Sequence, residues 1–314
     1  MQQVPLGSSS LQISRLAYGC WRIAGSWDPS EVTPATEAAG RRAIWAAFEA
    51  GYTVFDHADI YCRGVAETLF GKVLQEAPGT RDRIVILTKC GIRPQNTPAA
   101  GTPTRYDFRA DYIIDSCEQS LRRLRIETID VYQLHRPDYL MNPEEVAGAF
   151  DRLRKAGKVR EFGVSNFRPS QFSALQKACP MRLLVNQIEI SLSHLSPFED
   201  GSLDHCLQEK ITPFAWSPLG GGHLGDGARR VLPSQQGYFN SRLVAALDRV
   251  ADDRGATRPV VALAWLLKHP AGIVPIVGST DPERIRNAAA AASLHLSHEE
   301  WYELLTAARA EPLP

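Results

Sequence analysis

The sequence predicts an α/β fold in which eight parallel strands close into a barrel inside a ring of helices, the (β/α)8 or TIM barrel. Short apolar runs alternate with longer amphipathic stretches through most of the 314 residues, and this alternation is typical of a parallel sheet covered by helices. Eight such units are present, and neither half of the chain has the composition of a separate domain. We therefore expect a single domain over 1–314 whose sheet is closed rather than open.

The eight strand candidates are short runs of apolar and β-branched residues. Ahead of them, Val4 to Ile13 has Gly7 and three serines at its centre and predicts a small β-hairpin. We also expect an extra helix at the C-terminus. The strand candidates in chain order are Leu16–Cys20, Thr53–Phe55, Ile84–Thr88, Ile129–Leu134, Glu161–Val164, Leu184–Gln187, Thr212–Trp216 and Ile273–Val277.

Helix signals lie between the strand candidates, and those after the fourth strand are the clearest. Asn142 can cap a helix, Pro143 suits the first helical position, and Glu144 and Glu145 favour the positive end of the helix dipole. Apolar residues then recur at helical spacing until Gly157. These signals predict a helix that begins at Pro143 and ends before Gly157.

Two segments interrupt the alternation of strands and helices. Ile92 to Arg109 contains three prolines and no periodicity and follows the third strand, and the glycine-rich segment from Gly220 to Asn240 follows the seventh. Long loops in a compact domain are often functional. Both loops leave the carboxyl ends of strands, where barrel active sites are built, so we expect them to border a site.

The composition excludes several classes of function. Lys plus Arg number 35 and so do Asp plus Glu, giving a net charge of zero, so no broad field attracts nucleic acid or an anionic membrane. No apolar run is long enough to span a bilayer, and residues 1–14 lack the profile of a signal peptide. We expect a cytoplasmic protein, monomeric or weakly homo-oligomeric. The cysteines form no CxxC pair and are expected to be reduced and mostly buried: Cys20, Cys62, Cys90, Cys117, Cys179 and Cys206.

Polar, titratable residues follow three neighbouring strand candidates. Asp56 and Tyr61 follow the second strand, Lys89 follows the third, and His135 follows the fourth. Each alone has an ordinary structural role, but side chains at consecutive strand ends of a barrel converge on one mouth. Their joint position therefore indicates a catalytic site.

These four residue types suit the reduction of a carbonyl group by hydride. The developing negative charge on oxygen needs a proton and a polarising donor. A phenol is a poor acid at neutral pH unless a nearby cation favours the phenolate. We expect Lys89 to be that cation, Asp56 to hold Lys89 charged, and His135 to hydrogen-bond the substrate oxygen, with Tyr61 as the proton donor and no metal.

With these residues in these positions, the sequence resembles the aldo-keto reductase superfamily. The segments Phe55 to Tyr61, Thr88-Lys89 and Leu134 to Pro137 look like its catalytic tetrad segments. Further similarity, in order, covers KVREFGVSNF from Lys158, NQIEI from Asn186, WSPLGGG from Trp216 and PIVGS from Pro275. The resemblance covers essentially the whole chain and implies an oxidoreductase that reduces aldehydes or ketones to alcohols with NADPH.

The resemblance also implies the residues that bind the cofactor. Ser165, Asn166 and Gln187 would bind the nicotinamide carboxamide, whose donors and acceptors their side chains suit, and Trp216 would stack on the nicotinamide ring. The glycine-rich loop would approach the pyrophosphate. The GxGxxG match at Gly220 is weak as a dinucleotide-fold fingerprint, because Gly225-Asp226-Gly227 continues as loop. The remaining predicted cofactor contacts are Ser217, Leu219, Gly220 and Gly278, then Ser279 and Arg284 for the 2′-phosphate, and Asn287 for the adenine.

Three positions depart from the family pattern. Many members carry lysine where Gly278 stands, so the preference for NADPH depends mainly on Arg284. Many carry tyrosine where Trp216 lies, and Cys62 replaces a common glycine. His295 and His298 lack further candidate ligands, so we interpret them as surface residues rather than metal ligands.

The substrate itself is not predicted beyond its class, a small-molecule carbonyl compound. Trp21, Trp27 and Cys90 are predicted pocket walls, which would favour apolar or aromatic substrates. Two other functions stay open at this point: a cofactor-binding redox sensor or regulatory subunit, and a barrel isomerase or aldolase that uses Lys89 as a Schiff base.

Overall fold

The computed structural model confirms the closed barrel. It describes residues 1–225, 232–309, 311 and 313. All eight barrel strands are parallel, and the last pairs with the first, with Ile276 beside Ala17 and Val277 beside Tyr18. The barrel strands, in their order around the barrel, are β3 (Ala17–Gly19), β4 (Val54–Asp56), β5 (Val85–Cys90), β8 (Ile129–Leu134), β9 (Val159–Ser165), β10 (Leu183–Glu189), β11 (Thr212–Trp216) and β12 (Val274–Val277).

Helices follow the strands and cover the outside of the barrel. The predicted helix after the fourth barrel strand is confirmed, since Asn142 Oδ1 accepts hydrogen bonds from the backbone N–H groups of Glu144 (3.0 Å) and Glu145 (3.2 Å). The expected C-terminal helix is also present. The helices are α1 (Pro34–Glu49), α2 (Val65–Glu76), α3 (Ala110–Leu124), α4 (Pro143–Lys155), α5 (Pro169–Ala178), α6 (Ser202–Glu209), α7 (Ser241–Asp253), α8 (Arg258–Leu267), α9 (Pro282–Ala288) and α10 (His298–Arg309).

Alternate residues of each strand pack on opposite sides of the barrel wall. Val54, Leu87 and Val131 belong to the cluster that fills the barrel interior, whereas Phe55 and Ile86 pack between the strands and the helices. On each of these strands, a residue two or four positions after the interior residue therefore also faces inward. This parity directs the side chains at the carboxyl ends of β4, β5 and β8 into the barrel mouth.

Two small hairpins lie outside the barrel. The predicted N-terminal hairpin is formed by β1 (Gln3–Pro5) and β2 (Gln12–Ser14), and its Leu6 and Ile13 pack into the interior cluster. Residues 92–109, which we predicted as an irregular loop, contain the antiparallel strands β6 (Ile92–Arg93) and β7 (Arg105–Tyr106). Strands of two residues are too short to show a periodicity, so the sequence gives no sign of this hairpin.

The second predicted loop follows β11. It begins with a 3₁₀ turn over Gly220–Gly222. The sequence predicts that the loop continues through Gly225-Asp226-Gly227. Residues 226–231 of this loop lie outside the described residues. Within the described part of the chain, none of the helices is long and apolar enough to cross a membrane.

Candidate active site

The four candidate catalytic side chains meet at the mouth of the barrel. Lys89 Nζ donates hydrogen bonds to Asp56 Oδ1 at 2.6 Å and to the carbonyl oxygen of His57 at 2.7 Å. Lys89 is fully buried and Asp56 is 3% exposed. The Tyr61 ring centroid lies 5.3 Å from Lys89 Nζ and 5.9 Å from the centroid of the His135 ring. The predicted convergence of these residues is therefore present in the structure.

Tyr61 is positioned by an irregular turn rather than by a strand. The turn after Tyr61 has three successive residues with positive φ: Cys62 (47°), Arg63 (49°) and Gly64 (88°). Left-handed backbone favours glycine, and another residue there costs about 1 kcal/mol. A glycine, which the family pattern leads us to expect at position 62, would adopt this backbone without that cost. At Gly64 a Cβ would lie 2.6 Å from the Arg123 side chain, so any other residue would have to move this arginine, whose Nε donates a hydrogen bond to Glu67.

Burial shifts the pKa values of these groups. It raises the pKa of Tyr61 well above its usual value, the charge of Asp56 raises it further, and the charge of Arg136 lowers it. Burial lowers the pKa of Lys89, although Asp56 opposes that shift. Burial, together with the charges of Lys89 and Arg136, lowers the pKa of His135 well below its usual value, so this imidazole is neutral at neutral pH. Tyr61 is thus a protonated phenol at neutral pH.

Gln187 joins the catalytic group directly. Its Nε2 donates a hydrogen bond of 2.8 Å to Asp56 Oδ1, the same oxygen that accepts from Lys89. We predicted Gln187 only as a nicotinamide contact. It lies on β10 opposite β4 across the barrel, and inward-facing side chains from distant strands meet in the interior. Gln187 therefore links the predicted cofactor residues to the Asp56–Lys89 pair.

The other predicted nicotinamide contacts form one hydrogen-bonded group at the ends of β9 and β11. Trp216 Nε1 donates to Asn166 Oδ1 at 2.9 Å, and Asn166 Nδ2 donates to Ser165 Oγ at 2.7 Å. Ser165 Oγ in turn donates to the backbone oxygen of Gln187 at 2.8 Å. The arrangement places an aromatic ring beside amide and hydroxyl groups, a donor set that fits a nicotinamide carboxamide.

The remaining predicted cofactor residues lie at the ends of β11 and β12. The carbonyl oxygens of Ser217 and Leu219 accept backbone hydrogen bonds from the turn that contains Gly220. Gly220 has a φ of 57°, and a Cβ there would lie 3.0 Å from Ser193 Oγ, so both the backbone conformation and the packing favour glycine. Ser279 precedes α9, whose exposed Arg284 and Asn287 are three positions apart on one side of the helix. These groups are polar, cationic and open to solvent, which fits the phosphate and adenosine parts of a dinucleotide.

The predicted pocket walls separate into two groups. Trp27 packs against both Trp21 and Tyr61, with ring centroids 5.5 Å and 6.0 Å away, and is 49% exposed. These two tryptophans form an aromatic wall beside the candidate proton donor. The prediction for Cys90 is not supported, because Cys90 packs with Phe108 in the cluster outside the barrel. Lys89 faces inward, so its neighbour on the strand faces outward.

Gly278 lies against the same wall. A Cβ at Gly278 would approach Trp21 Nε1 to 3.0 Å. The guanidinium carbon of Arg22 lies 4.3 Å from the centroid of the Trp21 ring and restricts that side chain. The indole of Trp21 thus occupies the space into which a side chain at 278 would point.

Two further polar residues, Arg136 and Gln133, lie near the site and are not among the predicted site residues. Arg136 follows His135 directly and lies beside Trp216, with its guanidinium carbon 5.3 Å from the ring centroid. Gln133 lies two residues before His135 on β8, and neither polar atom of its buried side chain has a partner among the described residues. Strand parity directs the Gln133 side chain into the barrel, and Arg136 directly follows the candidate catalytic His135, so the sequence indicates that both lie near the site. In the described part of the chain, His, Cys, Asp and Glu side chains form no group of three or more that could hold a metal ion.

Asp59, a partly buried carboxyl near the site, is expected to make stability depend on pH. Burial, and then the charge of Glu67, raises the pKa of Asp59 to about 8, and Asp59 Oδ1 is buried without a partner among the described residues. The unfolded chain releases this proton at a pKa of about 4. The folded state therefore binds it more tightly, so the free energy of unfolding should fall as the pH rises from about 4 to about 8 and then level off.

Asp59→Asn should remove this decline, so that the variant gains stability relative to the wild-type protein as the pH rises. Urea unfolding at pH values of about 5, 7 and 9 measures the difference between the two proteins. A difference that is the same at all three pH values would show that Asp59 does not titrate in this range.

Comparison with known proteins identifies the family. The model of the "Aldo/keto reductase family" matches residues 15–308. A relative from Agrobacterium fabrum named "6-dehydroglucose reductase" is 42% identical over 309 residues, covering 98% of each chain. "Oxidoreductase YdhF" of Escherichia coli is 37% identical over 319 residues, covering 100% of each chain.

Solved structures agree with this result. The thermostable aldo-keto reductase Tm1743 has a TM-score of 0.82 and 27% identity, over 98% of this chain and 100% of its own. The glycerol dehydrogenase AKR11B4 of Gluconobacter oxydans has a TM-score of 0.84 and 26% identity, over 99% of this chain and 97% of its own. With the barrel and the convergent side chains described above, these matches show that the chain belongs to the aldo/keto reductase family of oxidoreductases.

Proposed function

We propose that this oxidoreductase reduces aldehydes or ketones to alcohols with NADPH, and that Tyr61 is the proton donor. The observation that carries the proposal is the contact of the Tyr61 ring with both the buried Lys89–Asp56 pair and His135 at the barrel mouth. A phenol, an ammonium group and a neutral imidazole around one opening supply a proton, a positive charge and a hydrogen-bond donor for a carbonyl oxygen.

Each residue has a separate role in this proposal. NADPH, when bound, supplies the hydride that adds to the carbonyl carbon. The hydroxyl of Tyr61 gives its proton to the carbonyl oxygen, and the charge of Lys89 stabilises the phenolate that is left. Asp56 and Gln187 hold Lys89 in place through Asp56 Oδ1. His135 is neutral and donates a ring N–H to the same carbonyl oxygen.

The raised pKa of Tyr61 modifies our prediction about Lys89. Burial holds the pKa of Tyr61 above its usual value, so the phenol is protonated before the reaction and can act as a proton donor. A positive charge on Lys89 would favour the phenolate as it forms, and it would lower the pKa of Tyr61 by the same free energy, which is less than the effect of burial.

The cofactor residues would hold NADPH along the carboxyl ends of β9 to β12. Trp216 would stack on the nicotinamide, with Ser165, Asn166 and Gln187 toward its carboxamide. Arg284 and Ser279 would bind the 2′-phosphate and Asn287 the adenine. Because Gly278 has no side chain to contact the 2′-phosphate, Arg284 would supply the positive charge that distinguishes NADPH from NADH.

Arg284→Ala should weaken NADPH binding by about 10- to 100-fold and NADH binding much less, because hydrogen bonds to a charged phosphate are worth about 1.5–3 kcal/mol. The measurement is quenching of tryptophan fluorescence on titration with each cofactor. Arg286→Ala is the matched control, since Arg286 lies on the same helix and pairs with Glu49 at 3.1 Å. Equal affinities of the wild-type protein for the two cofactors would overturn the preference for NADPH.

Substrates are best sought among carbonyl compounds that fit an aromatic wall. Nitrobenzaldehydes test the wall of Trp21 and Trp27, and a hexose aldehyde belongs in the panel because a relative is named 6-dehydroglucose reductase. Turnover is followed at the nicotinamide absorbance. The oxidoreductase relatives favour this function over the Schiff-base alternative for Lys89, for which borohydride trapping with a carbonyl compound is the direct test.

A further inference from the structure

Arg136 places a positive charge at the mouth of the candidate active site. It follows His135 at the carboxyl end of β8 and is partly exposed. It lines a cleft of about 310 Å³ together with Asn166 and Trp216. Its guanidinium carbon lies 5.3 Å from the centroid of the Trp216 ring, and this cation–π contact holds the group beside the cleft.

Many arginines of the structure form ion pairs with carboxylates. Among the described residues, Arg136 forms no such pair. Two carboxylates do line the same cleft, but each has a partner of its own: Glu189 Oε1 accepts from Gln235 Nε2 at 2.7 Å, and Asp200 Oδ1 accepts from the backbone N–H of Ser202 at 2.9 Å. Arg168, which is exposed, also lines the cleft. The donors of Arg136 are therefore available to a ligand in the cleft.

The charge of Arg136 reaches the groups proposed to react. It lowers the pKa of Tyr61 and that of His135, after the larger effects of burial and of other charges. An anion bound at Arg136 would thus lie close to a carbonyl held between Tyr61 and His135. A guanidinium binds carboxylate or phosphate with two parallel hydrogen bonds, which fixes orientation as well as adding affinity.

We propose that Arg136 is a specificity-determining residue that binds an anionic group of the substrate, so that the enzyme prefers carbonyl compounds carrying a carboxylate or phosphate. This inference rests on the proposed function and narrows its substrate class. The anion could instead belong to the cofactor, whose pyrophosphate is also negatively charged, and the experiment separates these two sources.

The test compares 4-formylbenzoate with its methyl ester, which differs mainly in charge. We expect the wild-type enzyme to have a higher kcat/KM for the acid, and Arg136→Met to lower the acid-to-ester ratio by about 10- to 100-fold. The ratio is the informative quantity, because Arg136 also acts on Tyr61 and would change the rate with both substrates. Arg136→Lys, which keeps the charge but not the bidentate geometry, should lower the ratio less.

Two further measurements test whether Arg136 is the recognising cation and whether the anion belongs to the substrate. Arg168→Met is the matched control, and an equal fall of the ratio in that variant would overturn the assignment to Arg136, as would an unchanged ratio in Arg136→Met. A loss of NADPH affinity in Arg136→Met with no change of the ratio would place the anion on the cofactor and would also overturn it.

A binding measurement keeps this inference separate from the proposed function. Tryptophan fluorescence of the protein with NADP⁺ reports binding of 4-formylbenzoate or its ester without turnover. Binding of the acid that depends on Arg136, in an enzyme that reduces neither compound, would support the anion site and contradict the proposed reaction. Equal binding of acid and ester by the wild-type protein would contradict the anion site.

Discussion

Tyr61→Phe should lower kcat by about 10²- to 10⁴-fold for every aldehyde tested, while the affinity for NADPH stays near that of the wild-type enzyme. Loss of a positioned general acid typically costs that much. The substitution removes one oxygen atom and keeps the ring, so the packing against Trp27 and His135 is preserved. Turnover is measured at the nicotinamide absorbance and cofactor affinity by fluorescence quenching.

Tyr302→Phe is the control for this experiment. Tyr302 is 40% exposed on the C-terminal helix α10, and its ring packs against His298 and Trp301 of the same helix. Its loss of a hydroxyl group should leave kcat unchanged. A Tyr61→Phe enzyme that retained more than about a tenth of the wild-type kcat would contradict the role of Tyr61 as general acid.

Asp56→Ala should lower the free energy of unfolding by about 3–5 kcal/mol as well as abolish turnover, because it leaves a buried charge without its partner. Lys89 is fully buried and 2.6 Å from Asp56 Oδ1, and Gln187 Nε2 would lose the same acceptor. Urea unfolding followed by tryptophan fluorescence measures the change. The effect is large because Lys89 is fully buried in the folded protein.

The double variant Asp56→Ala, Lys89→Met identifies the cause of that loss. Removing both charges should restore part of the stability but no activity, since a buried ion pair is costly mainly when one partner is missing. Asp151→Ala is the control: this residue pairs with Lys155 on the surface of α4, and its loss should cost less than about 0.5 kcal/mol. A double variant less stable than Asp56→Ala would show that the unpaired charge of Lys89 is not the cause.

Much of the barrel could be predicted because its signals are local. The run from Ile129 to Leu134 is apolar over most of its length, and β8 has these bounds in the structure. Strand parity then places Asp56, Lys89 and His135 on one side of the wall, so their convergence follows once the sheet closes. The pairing of Lys89 with Asp56 is the result of such parity on adjacent strands.

The contacts that could not be predicted depend on the whole three-dimensional arrangement. The hydrogen bond from Gln187 to Asp56 joins residues 131 positions apart in the chain. No local pattern indicates which inward side chains across a barrel touch. The pKa of Tyr61 likewise depends on the depth of its burial, which the sequence leaves open. The outward direction of Cys90, by contrast, follows from strand parity alone, because Cys90 lies next to the inward-facing Lys89.

The contact between Gly278 and Trp21 bears on how cofactor preference can change during evolution. A side chain at position 278 would require the indole of Trp21 to shift by a few tenths of an ångström, because Trp21 Nε1 stands 3.0 Å from the site of a new Cβ. The two positions are therefore coupled by direct packing, and a substitution at one changes what the other accepts. A lysine introduced at position 278 to bind phosphate would thus also move one of the two tryptophans of the aromatic wall.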